Sequence, residues 1–135
     1  MHVFTYGSLM FDRVWANVVT GDYGKVDGRL YGYVRRRIKG ENYPGLVPSN
    51  EAEYVDGKIY MDVVYGDILR LDRFEGEYYQ RIMEKCELSK GRWLTAGVYV
   101  LKKQYMNLLA DEEWDPDWFS RVGISSFLSG YKGFN

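Results

Sequence analysis

The apolar positions at the start of the chain change period at Gly7-Ser8. His2 to Tyr6 is a short β-prone run, whereas Leu9, Met10, Phe11, Val14, Trp15 and Val18 recur every three to four residues, the spacing of a helix with one apolar face. A strand, a glycine turn and a short helix are therefore expected in that order. Gly28 to Val34 carries Leu30, Tyr31, Tyr33 and Val34 and runs into the basic cluster Arg35, Arg36, Arg37 and Lys39. It reads as a strand leading to a solvated strand edge or loop. Tyr43 to Pro48 contains two prolines and a Pro-Gly pair, which predicts an ordered turn rather than regular structure. Asp56-Gly57, between two β-prone runs, predicts a hairpin.

From Asp67 the spacing turns helical. Ile68, Leu69, Leu71 and Phe74 share one side, Asp67 is placed as the N-cap and Gly76 as the stop, for a helix of about two to three turns. Tyr79 to Leu88 and Arg92 to Leu101 read as strands joined through Ser89-Lys90-Gly91. The last third tends to helix: Asp115 before Pro116 predicts an N-cap with proline at the first helical position, Trp118, Phe119 and Val122 begin an apolar face, and Gly130 ends it. Strands outnumber helices and adjacent strands have tight connections, so an α+β fold on a mixed, mostly antiparallel sheet is expected. The pattern alone leaves open whether that sheet closes. With 135 residues and no linker or repeat, residues 1–135 are expected to form a single domain.

Composition removes several classes of function. The formal net charge of -1 gives no bulk attraction to nucleic acid or an anionic membrane. No apolar run is long enough to span a bilayer, and the first residues lack a signal peptide's basic and apolar regions, so a cytoplasmic location is expected. The single cysteine, Cys86, cannot form an internal disulfide, and the single histidine, His2, leaves no Cys/His metal cluster. A nucleophilic triad or Cys-His pair would have to use His2 itself. Aromatic residues reach 17%, read mainly as a small core filled by large side chains.

Three segments carry more than local structure requires. Tyr6-Gly7-Ser8-Leu9-Met10 lies at a strand-to-helix turn, where glycine permits close backbone approach and the following amides can face a negatively charged group. A simple chain reversal would use the same residues. Leu71 to Arg81 places Glu75 in the last helical turn, beside the terminating Gly76. A carboxylate there meets the negative end of the helix dipole and, if buried, would resist ionisation further, which suits a general acid and base near neutrality. Alternatively, Glu75 is a surface acid paired with Arg81. The Tyr43 to Pro48 turn supplies rigidity and could line a site.

Taken together, Val3 to Leu9, Tyr43 to Pro48, Leu71 to Gly76 with Tyr79-Gln80-Arg81, and Ala96 to Val100 resemble the γ-glutamylcyclotransferase-like family, in its order and approximate spacing over residues 2 to 101. The likeness is narrower to the branch of avirulence-induced plant proteins and γ-glutamylamine cyclotransferases. It implies a small mixed β-barrel with flanking short helices and a small-molecule γ-glutamyl substrate. It further implies that Tyr6, Gly7, Ser8 and Leu9 cradle the γ-glutamyl moiety, that Glu75 is the catalytic acid/base, and that Tyr79 contributes to the site. Tyr78 competes with Tyr79, Tyr99 could reach the pocket, and Pro44 and Gly45 could line it. The implied reaction closes 5-oxoproline by attack of the substrate's own α-amino group, so no cofactor or metal is expected. A non-catalytic binder of a γ-glutamyl or amino-acid ligand is the alternative. Two lesser readings remain: a protein-binding surface near Trp114 and Trp118, against core packing, and a phosphate or leaving-group contact at Arg35 to Lys39.

Overall fold

The computed structural model describes residues 1–130. Eight strands are present: β1 (His2–Thr5), β2 (Lys25–Tyr31), β3 (Tyr33–Ile38), β4 (Pro44–Pro48), β5 (Tyr54–Tyr60), β6 (Tyr79–Ser89), β7 (Arg92–Leu101) and β8 (Leu109–Glu113). A tight helical turn, Ser8–Met10, leads into α1 (Asp12–Val18), and α2 (Tyr65–Glu75) precedes β6. The C-terminal segment comprises α3 (Pro116–Trp118), a wide π-type turn (Phe119–Gly123) and α4 (Ile124–Gly130).

Strands β1-β5-β2-β6-β7 close into a barrel, sealed by parallel pairing of β1 with β7, while every other neighbour is antiparallel. A second sheet has the order β4-β3-β8. Phe4, Leu30, Val55, Ile59, Cys86, Ala96 and Val98 belong to one buried cluster. A second cluster joins Val14, Trp15 and Val18 of α1 with Ile68, Leu71 and Phe74 of α2. Trp15 and Tyr60 stack between these layers, with ring centroids 3.5 Å apart. No helix among the described residues is long and apolar enough to cross a membrane.

Several expected elements are corrected. Asp56-Gly57 makes no hairpin: it lies inside β5, with Gly57 opposite Gly28. A Cβ on Gly57 would fall 2.1 Å from the Thr5 carbonyl oxygen and 2.8 Å from the Phe4 ring, so the glycine serves close approach to β1 rather than a turn. The run Gly28 to Val34 is not one strand. Gly32, at φ +85°, bends the chain out of the barrel and into β3, a conformation that favours glycine. Arg35 to Ile38 is then strand, not a loop: β3 is the middle strand of the second sheet. Tyr43 to Pro48 also proves largely extended, because β4 lies at an edge of that sheet, where proline's missing N–H is tolerated.

Asp67 does not cap α2. The helix starts earlier, with Val64 at the N-cap position, and the Asp67 side chain is fully buried. It accepts hydrogen bonds from the Thr20 and Gly21 amides (2.9 and 3.0 Å), the Thr20 hydroxyl (3.1 Å) and the Tyr23 hydroxyl (2.6 Å). Burial opposes its ionisation, but the Tyr23 hydrogen bond and those from Thr20 and Gly21 prevail and hold the carboxyl down to about 2. Asp67 thereby ties the start of α2 to the segment after α1.

The Asp115 cap is present, accepting the Asp117 amide at 2.9 Å, but the predicted apolar face shifts. Phe119 is buried as expected, but Val122 is exposed, and Gly123, Ile124 and Phe127 continue the buried face instead, because the wide turn rotates the following residues. Trp114 is core, with its indole N–H donated to the Asn42 carbonyl at 2.7 Å. β8 and the helical turn Lys103–Leu108 were not anticipated.

Because Gly57 has no room for a side chain, Gly57→Ala is expected to destabilise the fold by about 2 kcal/mol or more. Gly24→Ala, where a Cβ meets nothing within 4 Å, should be within about 0.5 kcal/mol of wild type. Urea denaturation midpoints check both.

Candidate active site

The turn after β1 is held from behind. The carbonyls of four consecutive residues are all engaged: Tyr6 by the Arg35 guanidinium (2.8 Å), Gly7 by the Met10 amide (3.0 Å), Ser8 by the Phe11 amide (3.2 Å) and Leu9 by the Tyr60 hydroxyl (3.0 Å). Among the described residues, the amides of Gly7, Ser8 and Leu9 donate no such hydrogen bond. They remain available to a ligand in the cavity that these residues line. Gly7 is required here by contact: a Cβ would lie 2.8 Å from the Pro44 ring. The turn is therefore packed directly against the start of β4.

Across the same cavity is Glu75, the last residue of α2. Gly76 at φ +78° ends the helix, while Leu71 and Phe74 bury the adjoining face and fix its orientation. Among the described residues Glu75 has no hydrogen-bond or ion-pair partner, and no buried side-chain oxygen is left unsatisfied, so the carboxyl opens onto the cavity. Burial, and secondarily the charge of Asp72, raise its proton affinity to about 8. That is the environment in which a carboxyl exchanges protons near neutrality.

A hydrogen-bonded chain flanks this acid. The Tyr6 hydroxyl donates to the Tyr99 carbonyl at 2.6 Å, and the Tyr99 hydroxyl donates to Asp72 Oδ1, also at 2.6 Å. Arg81 grips Asp72 through Nε (2.9 Å) and Nη2 (3.3 Å). Burial raises the proton affinity of Tyr6 and Tyr99, reinforced by Glu75 at Tyr6 and by Asp72 at Tyr99. Tyr79 donates its hydroxyl to the Pro44 carbonyl at 2.7 Å and braces the opposite wall.

Tyr6, Gly7, Ser8, Leu9, Pro44, Glu75, Tyr79 and Tyr99 thus line one cavity with Tyr43, Phe74 and Phe127. Gly45 does not line it. One residue along β4 from Pro44 it faces away, where a Cβ would meet Ile38 and Leu109 at 3.1 Å, as strand alternation requires. Tyr78 also lies off the cavity wall, with its ring 4.9 Å from that of Tyr105. Arg81 pairs with Asp72 rather than with Glu75. His2 accepts the Asp62 amide at 3.1 Å, outside the cavity, and Cys86 is buried in the barrel cluster. Among the described residues no group of His, Cys, Asp and Glu is placed to hold a metal ion.

Two contributors were not singled out from the sequence. Asp72 could have been found from its position three residues before Glu75 on the same helix. Arg35 had no local signal beyond its basic cluster; it is held 5.3 Å over the Trp114 ring while bonding the Tyr6 carbonyl. A larger groove of about 720 Å³ includes Arg35, and four of its charged side chains pair at the surface, Arg29 with Asp56 at 2.7 Å and Lys58 with Asp27. The smaller cavity instead holds Glu75, whose proton affinity burial raises to about 8.

A closed mixed barrel with a donor-lined turn facing a helix-borne acid across one cavity defines a class of small α+β proteins. The chain belongs to the family described as Gamma-glutamyl cyclotransferase, AIG2-like, whose pattern matches residues 3–116. It is 30% identical over 138 residues to AIG2-like protein D of Arabidopsis thaliana, covering 99% of this chain and 89% of that one. AIG2-like protein A of the same plant is 37% identical over 81 residues, covering 60% of this chain and 48% of the relative, so that match spans about half the relative's length. A solution structure from Arabidopsis thaliana superposes with a TM-score of 0.73 at 26% identity, covering 95% of this chain and 77% of that one.

The environment of Glu75 has a consequence for stability. Its proton affinity in the fold, about 8, exceeds the ordinary 4.5, so its contribution is intact below pH 4.5 and lost as pH rises through about 8. Glu75→Gln lacks that loss. Thermal unfolding is expected to show the variant gaining several degrees on wild type between pH 5 and pH 9; parallel profiles would mean that the carboxyl ionises as in an unfolded chain.

Proposed function

We propose that this chain is a γ-glutamyl cyclotransferase that releases 5-oxoproline from a γ-glutamyl amine, amide or dipeptide. The observation that carries the reading is the pairing, across one cavity, of an acid that has no ionic partner and a turn whose amides donate to no backbone oxygen, both among the described residues. A γ-glutamyl group offers what each side takes: a carboxylate and a developing oxyanion for the donors, and an exchangeable α-amino proton for the acid.

The nucleophile belongs to the substrate. Its α-amino group, entering as the free amine, attacks the γ-carbonyl carbon and forms the lactam C–N bond while ionised Glu75 takes one of the two protons of that nitrogen. The carbonyl becomes an oxyanion, which backbone amides stabilise by a few kcal/mol. Collapse breaks the bond to the leaving nitrogen, which takes the proton from Glu75. One carboxyl thus accepts and returns a single proton, and no Ser-His or Cys-His pair is needed. Holding the ligand bent for a five-membered closure supplies several kcal/mol more. The free volume of the cavity is about 30 Å³, room for about one water. A γ-glutamyl group must therefore displace part of the wall that includes Tyr43 and Phe127.

The test measures 5-oxoproline release from γ-glutamyl dipeptides, γ-glutamyl-ε-lysine and γ-glutamylamines. Turnover of at least one class is expected, with Glu75→Gln lowering kcat by about 10²- to 10⁴-fold while the far-UV circular dichroism is unchanged. Because the base must be ionised, kcat/KM should rise with pH toward about 8. Full activity in Glu75→Gln would remove Glu75 from the chemistry. Ligand binding without turnover would instead favour a γ-glutamyl or amino-acid binding protein on the same fold.

A further inference from the structure

The proton transfers above leave unused a strongly held carboxylate beside the cavity, that of Asp72. Asp72 lies three residues before Glu75 on α2, so the two acids share a helix face. Such like-charged neighbours destabilise a helix, and nothing in the packing of Leu71 or Phe74 calls for a second acid there. Nevertheless Asp72 is fastened from two strands: by Arg81 of β6 at 2.9 and 3.3 Å, and by the Tyr99 hydroxyl of β7 at 2.6 Å. Tyr99 has a second attachment, its main-chain oxygen accepting the Tyr6 hydroxyl at 2.6 Å. One residue of β7 therefore joins the helix that presents the acid to the residue that begins the donor turn.

We propose that Asp72 is a positioning residue for Glu75: clamped by Arg81 and Tyr99, it registers α2, and with it the Glu75 carboxyl, against the Tyr6 turn. Its negative charge, three residues away on the same helix, also opposes departure of the Glu75 proton. The inference rests on the acid–base reading of Glu75. Burial resists ionisation of Asp72, but the Arg81 and Tyr99 hydrogen bonds hold it below the ordinary carboxylate value, so it stays charged through the range in which Glu75 titrates.

The other groups facing the cavity do not duplicate this charge. Tyr6 at the end of β1, Tyr43 before β4, Tyr79 on β6 and Tyr99 on β7 line the wall. Burial raises the proton affinity of Tyr6 and Tyr99, and that of Tyr43 to about 12, which keeps these three neutral. Phe127 of α4 carries no titratable group. The cations lie behind the wall, Arg81 on Asp72 and Arg35 on the Tyr6 carbonyl. Glu75 is thus a carboxyl with an anion on its own helix and a cation one step further back. An isolated Arg81–Glu75 ion pair would have had the opposite effect, favouring the ionised form.

Carbon-13 NMR of the side-chain carboxyls in the full chain tests this, with the Glu75 signal assigned by its loss in Glu75→Gln. Asp72→Asn keeps an acceptor for Arg81 and Tyr99 but removes the charge, and is expected to lower the Glu75 midpoint by about one pH unit. Arg81→Gln removes the cation and should move the midpoint upward. Shifts of opposite sign support the inference, since loss of packing alone would not reverse sign between the two. Shifts of the same sign, or an unmoved Glu75 in either folded variant, overturn it. If Asp72→Asn fails to fold, the direction of shift in Arg81→Gln decides. The titration reads Glu75 directly, so it decides the role of Asp72 even in a chain that turns over no γ-glutamyl compound. Absence of turnover would count against the proposed function alone.

Discussion

The constraint on which the rest of the structure depends is the placing of a carboxyl, with no cation of its own among the described residues, in a largely buried cavity. Removing such a group from water disfavours its charged form, and a free helix end would rotate it back to solvent. The fold prevents that at both ends of α2. Asp67, satisfied by four donors from Thr20, Gly21 and Tyr23, anchors the beginning of the helix. Leu71, Phe74 and the Asp72–Tyr99 hydrogen bond hold its final turns. Glu75 is carried to the cavity as a result of these attachments, and Gly76 ends the helix before a further turn could cover it.

The donor turn shows the same economy from the opposite side. Each carbonyl from Tyr6 to Leu9 has a partner, so the polar groups left over are amides. Their grouping follows from side chains remote in sequence: Arg35 on β3, Tyr60 on β5 and Pro44 on β4 each contact this short segment. The barrel supplies the frame, because parallel pairing of β1 with β7 sets Phe4 opposite Val98 and leaves Tyr99 beside the end of β1. Acid and donors face each other because the barrel closes.

Much of this was legible along the chain, and the errors share a cause. The strand–glycine–helix start, the hairpin through Ser89-Lys90-Gly91 and the helix ending at Gly76 depend on neighbours in sequence, and local periodicity reads such features well. Asp56-Gly57 and the prolines of β4 were misread because glycine and proline have more than one use. A glycine can allow a turn or a close approach, and a proline can stop a strand or sit at its edge. In each case a strand distant in sequence determines which use applies. The same holds for Asp67, whose acid at a helix start looked like a cap and instead bonds a preceding loop. For the site, the motif order pointed to Tyr6 to Leu9, Glu75, Tyr79 and Tyr99, whereas Gly45 failed by strand alternation and Arg35 and Asp72 depended on contacts across sheets.

By itself, the amino-acid sequence determined an α+β chain with a glycine turn after its first strand, an acid at the last turn of a helix, and too few histidines and cysteines for a metal cluster built from those two residue types. These are matters of composition and short-range order, which survive without knowledge of the fold. Only the tertiary structure decided that the barrel closes, that Arg81 serves Asp72 rather than Glu75, and that the acid therefore faces the cavity with no ion-pair partner among the described residues. The reason is physical: proton affinity and hydrogen-bond partnership depend on burial and on distances of a few ångströms between residues tens of positions apart.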